Sequence, residues 1–155
     1  MSGFIFQINR SPGGVPKLAV REGLVTPLGL EGDRQTDQEH HGGPDRALCL
    51  FSLERILALQ QEGHPIFPGS TGENLTVSGV EWSEMIPDSR WRLGESVEIE
   101  ITRYTSPCRT IGESFRDGYF GRIHQEKFPG WSRLYARVLV PGRIAPAAIV
   151  RMLPH

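Results

Sequence analysis

The chain has 155 residues, 38% of them hydrophobic and 23% charged, with a formal net charge of −1. These values suit one globular domain spanning residues 1–155 and offer no basic field for nucleic acid or a membrane surface. Two cysteines make no disulfide framework, no apolar run approaches membrane-spanning length, and the N-terminus lacks a signal peptide's order, so a reducing cytoplasm is the expected compartment.

Glycine (18) and proline (12) are dense enough to predict many short strands joined by tight turns. Residues 3–9 alternate, with Phe4, Phe6 and Ile8 set against Ile5 and Gln7, and read as a first strand. Ser11-Pro12-Gly13-Gly14 turns the chain, Lys17-Leu18-Ala19-Val20 makes a second strand, and Gly23-Leu24-Val25 runs towards a turn at Pro27. Residues 30–45 are polar and without period, and contain His40, His41, Gly42 and Gly43, which marks a functional loop. Arg46 to Phe51 is an apolar run expected as a strand buried on both faces, with Cys49 a packed and inert thiol. Ser52 should cap a helix that buries Leu53, Ile56 and Leu57 and stops at Gly63. A strand at Leu75-Thr76-Val77 follows, then a helical turn within residues 81–86. Trp91 to Glu95 leads into a strand with Val97, Ile99 and Ile101 inward. Helical turns are expected over residues 112–128, and strands over Leu134–Val140 and Ala147–Leu153. The sum is a mainly β fold, barrel-like, with one or two short helices.

The strand ending at Thr102 delivers the chain to Thr105-Ser106-Pro107-Cys108-Arg109-Thr110. If Ser106 caps a short helix with Pro107 at its first position, the Cys108 sulfur meets a positive helix end beside Arg109, and both favour thiolate. Such a thiolate can attack an electrophile, carry sulfur or ligate a metal; an ordinary strand-ending cysteine is the plain alternative. Lys17, Arg34, Arg46, Arg103 and Arg109 are candidate anion ligands. His40 and His41, being adjacent, do not share one metal in an extended segment, and no zinc, dinucleotide, Walker or nucleophile-elbow motif is present. A Cys–His hydrolase pairing Cys108 with His40, His41 or His124 stays open.

Taken in order, Pro16-Lys17, Gly29 to Asp33 with Gln35 and Asp37, and His41-Gly42-Gly43-Pro44-Asp45-Arg46-Ala47 resemble the front half of MOSC domains. Gly72-Glu73-Asn74-Leu75-Thr76, Trp91-Arg92-Leu93-Gly94-Glu95, Ser106-Pro107-Cys108 and Gly130-Trp131 continue the family's order, closest to small stand-alone bacterial members of the YiiM type. The resemblance implies a MOSC-type β-barrel with Cys108 as catalytic residue, ligating the metal of a molybdenum cofactor carried by molybdopterin. Lys17, His41, Gly42, Gly43, Gly72, Glu73, Asn74 and Arg109 would contact that cofactor. The implied activity is reduction of small N-hydroxylated bases or amines, with a separate electron-donor protein. The alternative is a sulfur-carrier or cofactor-delivery module that holds a persulfide on Cys108, charged by a cysteine desulfurase. A homodimer is compatible with either. Pyridoxal phosphate is not expected, because the only lysines, Lys17 and Lys127, lack a Schiff-base setting. Thr110 stands where the family usually has a basic residue, Ala147-Ala148 where it has Gly-Asp, and YiiM-type chains continue into a small helical segment beyond the barrel.

Overall fold

The computed structural model describes residues 2–34 and 43–154. Its strands are β1 (Gly3–Arg10), β2 (Leu18–Val20), β3 (Gly23–Thr26), β4 (Gly29–Leu30), β5 (Leu48–Ser52), β6 (Leu75–Ser78), β7 (Arg90–Leu93), β8 (Val97–Tyr104), β9 (Leu134–Val140), β10 (Gly142–Ile144) and β11 (Ile149–Leu153). The order β11-β7-β8-β9-β5-β6-β1 closes on itself through a β1–β11 pairing, giving a barrel whose ladder leaves few edges for aggregation. β2 extends β1 beyond the barrel, and β10-β3-β4 form a second small sheet.

The barrel is antiparallel except at β5–β6, which are parallel and joined by the α-helix α1 (Leu53–Gln61). A parallel pair needs such a crossover. The Ser52 hydroxyl accepts the Arg55 N–H at 3.2 Å, the expected N-cap. Past the helix, Gly63 takes φ +95° while the His64 N–H reaches back to the Leu59 carbonyl, a Schellman ending that glycine makes cheap. The buried face is Ile56 and Leu59; Leu57, expected inside, is 48% exposed, since it lies a helical step away from Ile56. Ser52→Ala is expected to cost about 1 kcal/mol of unfolding free energy in urea denaturation.

β1 departs from simple alternation. Its register against β6 slips between Ile5 and Gln7, a bulge. Phe4 and Phe6 face outward and Ile5 enters the core, and past the bulge Ile8 also turns inward, so Ile8 does not share the face of the phenylalanines with which the alternation grouped it. The extra residue also lets Ile8 and Asn9 both be buried, one in the core and one in a polar cluster. β7, expected only as a lead-in, is a full strand paired with both β8 and β11, and β10, a strand the sequence reading did not mark, pairs with β3. Inside the barrel, Val97, Ile99 and Ile101 of β8 meet Leu48 and Leu50, Leu75 and Val77, and Leu134 and Ala136 in one hydrophobic core. Ala147 takes the left-handed φ of +75°, and its N–H and the Ala148 carbonyl bond Ile5.

Residues 109–123 form short 3-10 turns rather than an α-helix. Trp131 holds this region against α1: Arg55 stacks 4.5 Å above its ring and Arg122 4.2 Å. Arg122 also grips Glu62 through two parallel bonds of 2.9 and 2.8 Å. Among the described residues no helix is long and apolar enough to cross a membrane.

Candidate functional site

β8 ends at Tyr104, opposite Leu134 of β9. The Thr105 N–H then donates to the Arg133 carbonyl at 3.1 Å, and the chain turns out through Ser106 and Pro107 to Cys108. Cys108 is extended (φ −140°, ψ 174°) and is itself the N-cap of the 3-10 turn Arg109–Ser114, its carbonyl accepting the Ile111 N–H. Ser106 therefore caps nothing and Pro107 lies outside the turn, and the α-helical dipole invoked for the thiol is not there. Half-buried, Cys108 contacts Thr110: its Sγ lies 3.1 Å from the Thr110 hydroxyl.

Beneath this loop lies a buried polar cluster built by four separated segments. Lys17 is 2% exposed, and its ammonium binds Asp33 Oδ2 at 2.6 Å. The same oxygen accepts Asn74 Nδ2 at 2.9 Å, while Asp33 Oδ1 accepts the Ser11 N–H at 3.0 Å. Asn74 Oδ1 accepts the Cys49 N–H at 3.0 Å, and Asn9 Nδ2 donates to the Glu73 carbonyl and the Thr76 hydroxyl. The Glu73 carboxyl is wholly buried and accepts from Gly69 N–H, Thr71 and Thr76. Burial pushes its pKa up, and these hydrogen bonds pull part of the shift back. Gly69 is required for this packing, because a Cβ there would fall 2.2 Å from the Lys17 carbonyl oxygen.

Cys49 and Tyr135 connect the cluster to Cys108. They are directly opposed on β5 and β9, and so share a face of the barrel wall. Cys49 feels Arg133, Glu73, Lys17 and Asp33; burial raises its pKa to about 11, so it stays a neutral thiol. The Tyr135 hydroxyl, raised chiefly by burial, also feels Cys49, Arg133, Arg46 and Cys108. The Arg46 guanidinium sits 5.8 Å from the Tyr135 ring, bringing the end of the 30–45 stretch to the same place. The two thiols should consequently react differently. At about pH 8 the native protein is expected to take up iodoacetamide at Cys108 alone, with Cys49 labelled only after unfolding. Mass spectrometry of the digest reads this; equal labelling of Cys49 in native protein would contradict the burial.

Of the residues singled out from the sequence, Lys17, Glu73 and Asn74 come together, with Gly72 beside them at φ +85°. Their polar side chains are engaged by the chain itself, so they act first as a brace. Gly43 precedes the 3-10 turn Pro44–Arg46 with open space at its Cα, and Arg109 is exposed on the turn after Cys108. His41 and Gly42, with His40, lie outside the described residues. Sequence reasoning did not mark Asn9, Arg133 or Tyr135, and it named Thr105 only as the start of the Cys108 stretch. Only the pattern of polar residues at the ends of otherwise apolar strands could have pointed to them.

The MOSC domain family model matches residues 37–151. This chain belongs to the MOSC domain family. The MOSC chain is 32% identical over 125 residues to the uncharacterized protein YflK of Bacillus subtilis, covering 80% of itself and 55% of that relative. It is 31% identical over 148 residues to protein YiiM of Escherichia coli, covering 92% of itself and 64% of YiiM. It thus spans somewhat over half the length of these relatives. The crystal structure of Escherichia coli YiiM superposes with a TM-score of 0.71 at 26% identity, over 99% of this chain and 70% of that one. The expected family and the MOSC-type β-barrel are both borne out.

Proposed function

We propose that this MOSC chain binds a molybdenum cofactor beside the Cys108 loop and reduces small N-hydroxylated bases or amines. Membership of the family supports a molybdenum-cofactor-related role. The observation that carries the finer reading is Cys108 itself: a half-buried thiol at the edge of a buried polar cluster in which Arg133 Nε and the Thr105 hydroxyl have no partner. Buried unpaired donors suit an anionic, heteroatom-rich group, and a thiolate is a soft ligand for a metal. The residues fit such a cofactor.

Cys108 would hold the metal, Thr110 would orient the sulfur, and the open backbone at Gly43 would let a planar ring approach. Lys17, Glu73 and Asn74 would keep that wall of the pocket rigid. Among the described residues no three histidine, cysteine or acidic side chains are grouped to hold a metal, so the remaining ligands would come with the cofactor. When bound, the molybdenum centre supplies the oxygen-atom removal, with electrons from a separate donor protein. The test is elemental analysis of protein made with and without cofactor biosynthesis. Molybdenum near one atom per chain only in competent cells supports the reading. Metal-free protein from competent cells overturns it, and a reductant-removable sulfur on Cys108 would then favour the persulfide carrier.

A further inference from the structure

At the end of β8 remote from Cys108, an open cleft of about 920 Å³ lies between the barrel and the small sheet. It is lined by the turn 94–96, by the segment 143–149, and by Glu22, Arg92 and Arg151. The eight residues of β8 set it about 25 Å from the Cys108 loop, at the rise of an extended strand.

Three arginines meet here without a close acidic partner. Arg92 of β7 and Arg151 of β11 are directly opposed across the strands, so their side chains share one face. Like charges so placed repel each other and weaken the bare sheet. Arg143 of β10 adds a third guanidinium from the small sheet. Arg92 lies 3.9 Å from Glu98 and Arg143 3.7 Å from Glu22, both beyond hydrogen-bond length. Arg151 enters no ion pair among the described residues. Elsewhere the chain pairs arginine tightly, Arg90 with Glu100 at 2.9 Å and Arg122 with Glu62 at 2.8 Å. The spare guanidinium donors therefore collect at this cleft.

Its far wall is made of small residues, Ala145, Pro146, Ala147 and Ala148, which leave the space open. Ala147 holds that wall in the left-handed region (φ +75°), uncommon for a residue with a Cβ. Its N–H donates to the Ile5 carbonyl at 2.7 Å, and the Ala148 carbonyl accepts the Ile5 N–H at 2.9 Å. The wall is thus pinned to β1.

We propose that this cleft binds a small organic diphosphate, with Arg92 and Arg151 gripping the two phosphoryl groups and Arg143 closing from the small sheet. A planar guanidinium suits two oxygens of a tetrahedral anion. Two linked anions offset the Arg92–Arg151 repulsion, whereas a single anion serves one guanidinium at a time. The organic part lies against Ile144 and Ile149 of the lining. Occupancy ties the small sheet to the barrel, and it is independent of what Cys108 holds.

The experiment is calorimetric titration of the full chain in magnesium-free buffer, with ADP, pyrophosphate and inorganic phosphate as probes. ADP and pyrophosphate should bind saturably, about tenfold or more tightly than inorganic phosphate, and should raise the melting temperature. ADP should bind more tightly than pyrophosphate; equal affinity would overturn the organic part of the ligand. Arg92→Gln, Arg143→Gln and Arg151→Gln should each weaken ADP several-fold, and the Arg92→Gln, Arg151→Gln double variant about tenfold or more. All three side chains are at least partly exposed, so the variants should fold. Arg137→Gln, an exposed arginine of β9 outside the cleft, should leave binding unchanged, as should Cys108→Ser. No binding of ADP or pyrophosphate, inorganic phosphate binding as tightly as pyrophosphate, or an equal loss in Arg137→Gln overturns the proposal.

Discussion

Replacing Asp33 with asparagine is expected to lower the unfolding free energy by about 3–5 kcal/mol, the cost of leaving a buried charge without its partner. The Lys17 ammonium has 2% of its side chain exposed, and Asp33 is the one carboxylate paired with it among the described residues. Asp33 also ties Asn74 and the Ser11 N–H to that ammonium, so one substitution disturbs bonds to three residues. Asparagine keeps the size and an acceptor oxygen but removes the charge and turns a donor towards Lys17 or Asn74. Lys17→Met should relieve much of this loss when combined with Asp33→Asn, because an apolar chain of similar length then fills the space. Urea unfolding of both single variants and the double variant gives the coupling directly. A loss under about 1 kcal/mol for Asp33→Asn would place the pair among exposed ion pairs and contradict the burial.

Cys108→Ser is expected to remove molybdenum from protein made in competent cells, from about one atom per chain to background, with little change in folding. The loss follows from ligand chemistry, since a serine hydroxyl is a far weaker soft ligand than a thiolate. Folding should survive because Cys108 is half-buried on a turn and its sulfur touches Thr110. Elemental analysis, absorbance and thermal unfolding should be read on the same samples. Unchanged metal in the serine variant would remove Cys108 as the ligand; a large fall in melting temperature would give it a structural role instead.

The strand-rich fold was legible because alternation and apolar runs are local signals: β8 shows its buried face in Val97, Ile99 and Ile101, and β5 shows none that is wet. The bulge in β1 was not legible, because slipping a register by one residue depends on the partner strand. Capping was half legible. Ser52 behaves as its sequence suggests, whereas the same reasoning failed at Ser106, where the chain is held extended by Thr105 pairing with Arg133.

At the site the division is similar. Sequence by itself determined the family, the turn that presents Cys108, and the grouping of Gly72-Glu73-Asn74 before a strand, since each is a run of neighbouring residues with a recognisable pattern. Tertiary structure alone decided that Lys17, Asp33, Asn9 and Asn74 share one buried network, and that Arg133 and Thr105 carry its unsatisfied donors. Burial and the absence of a partner arise only when strands far apart in sequence close into a barrel. No local pattern encodes them.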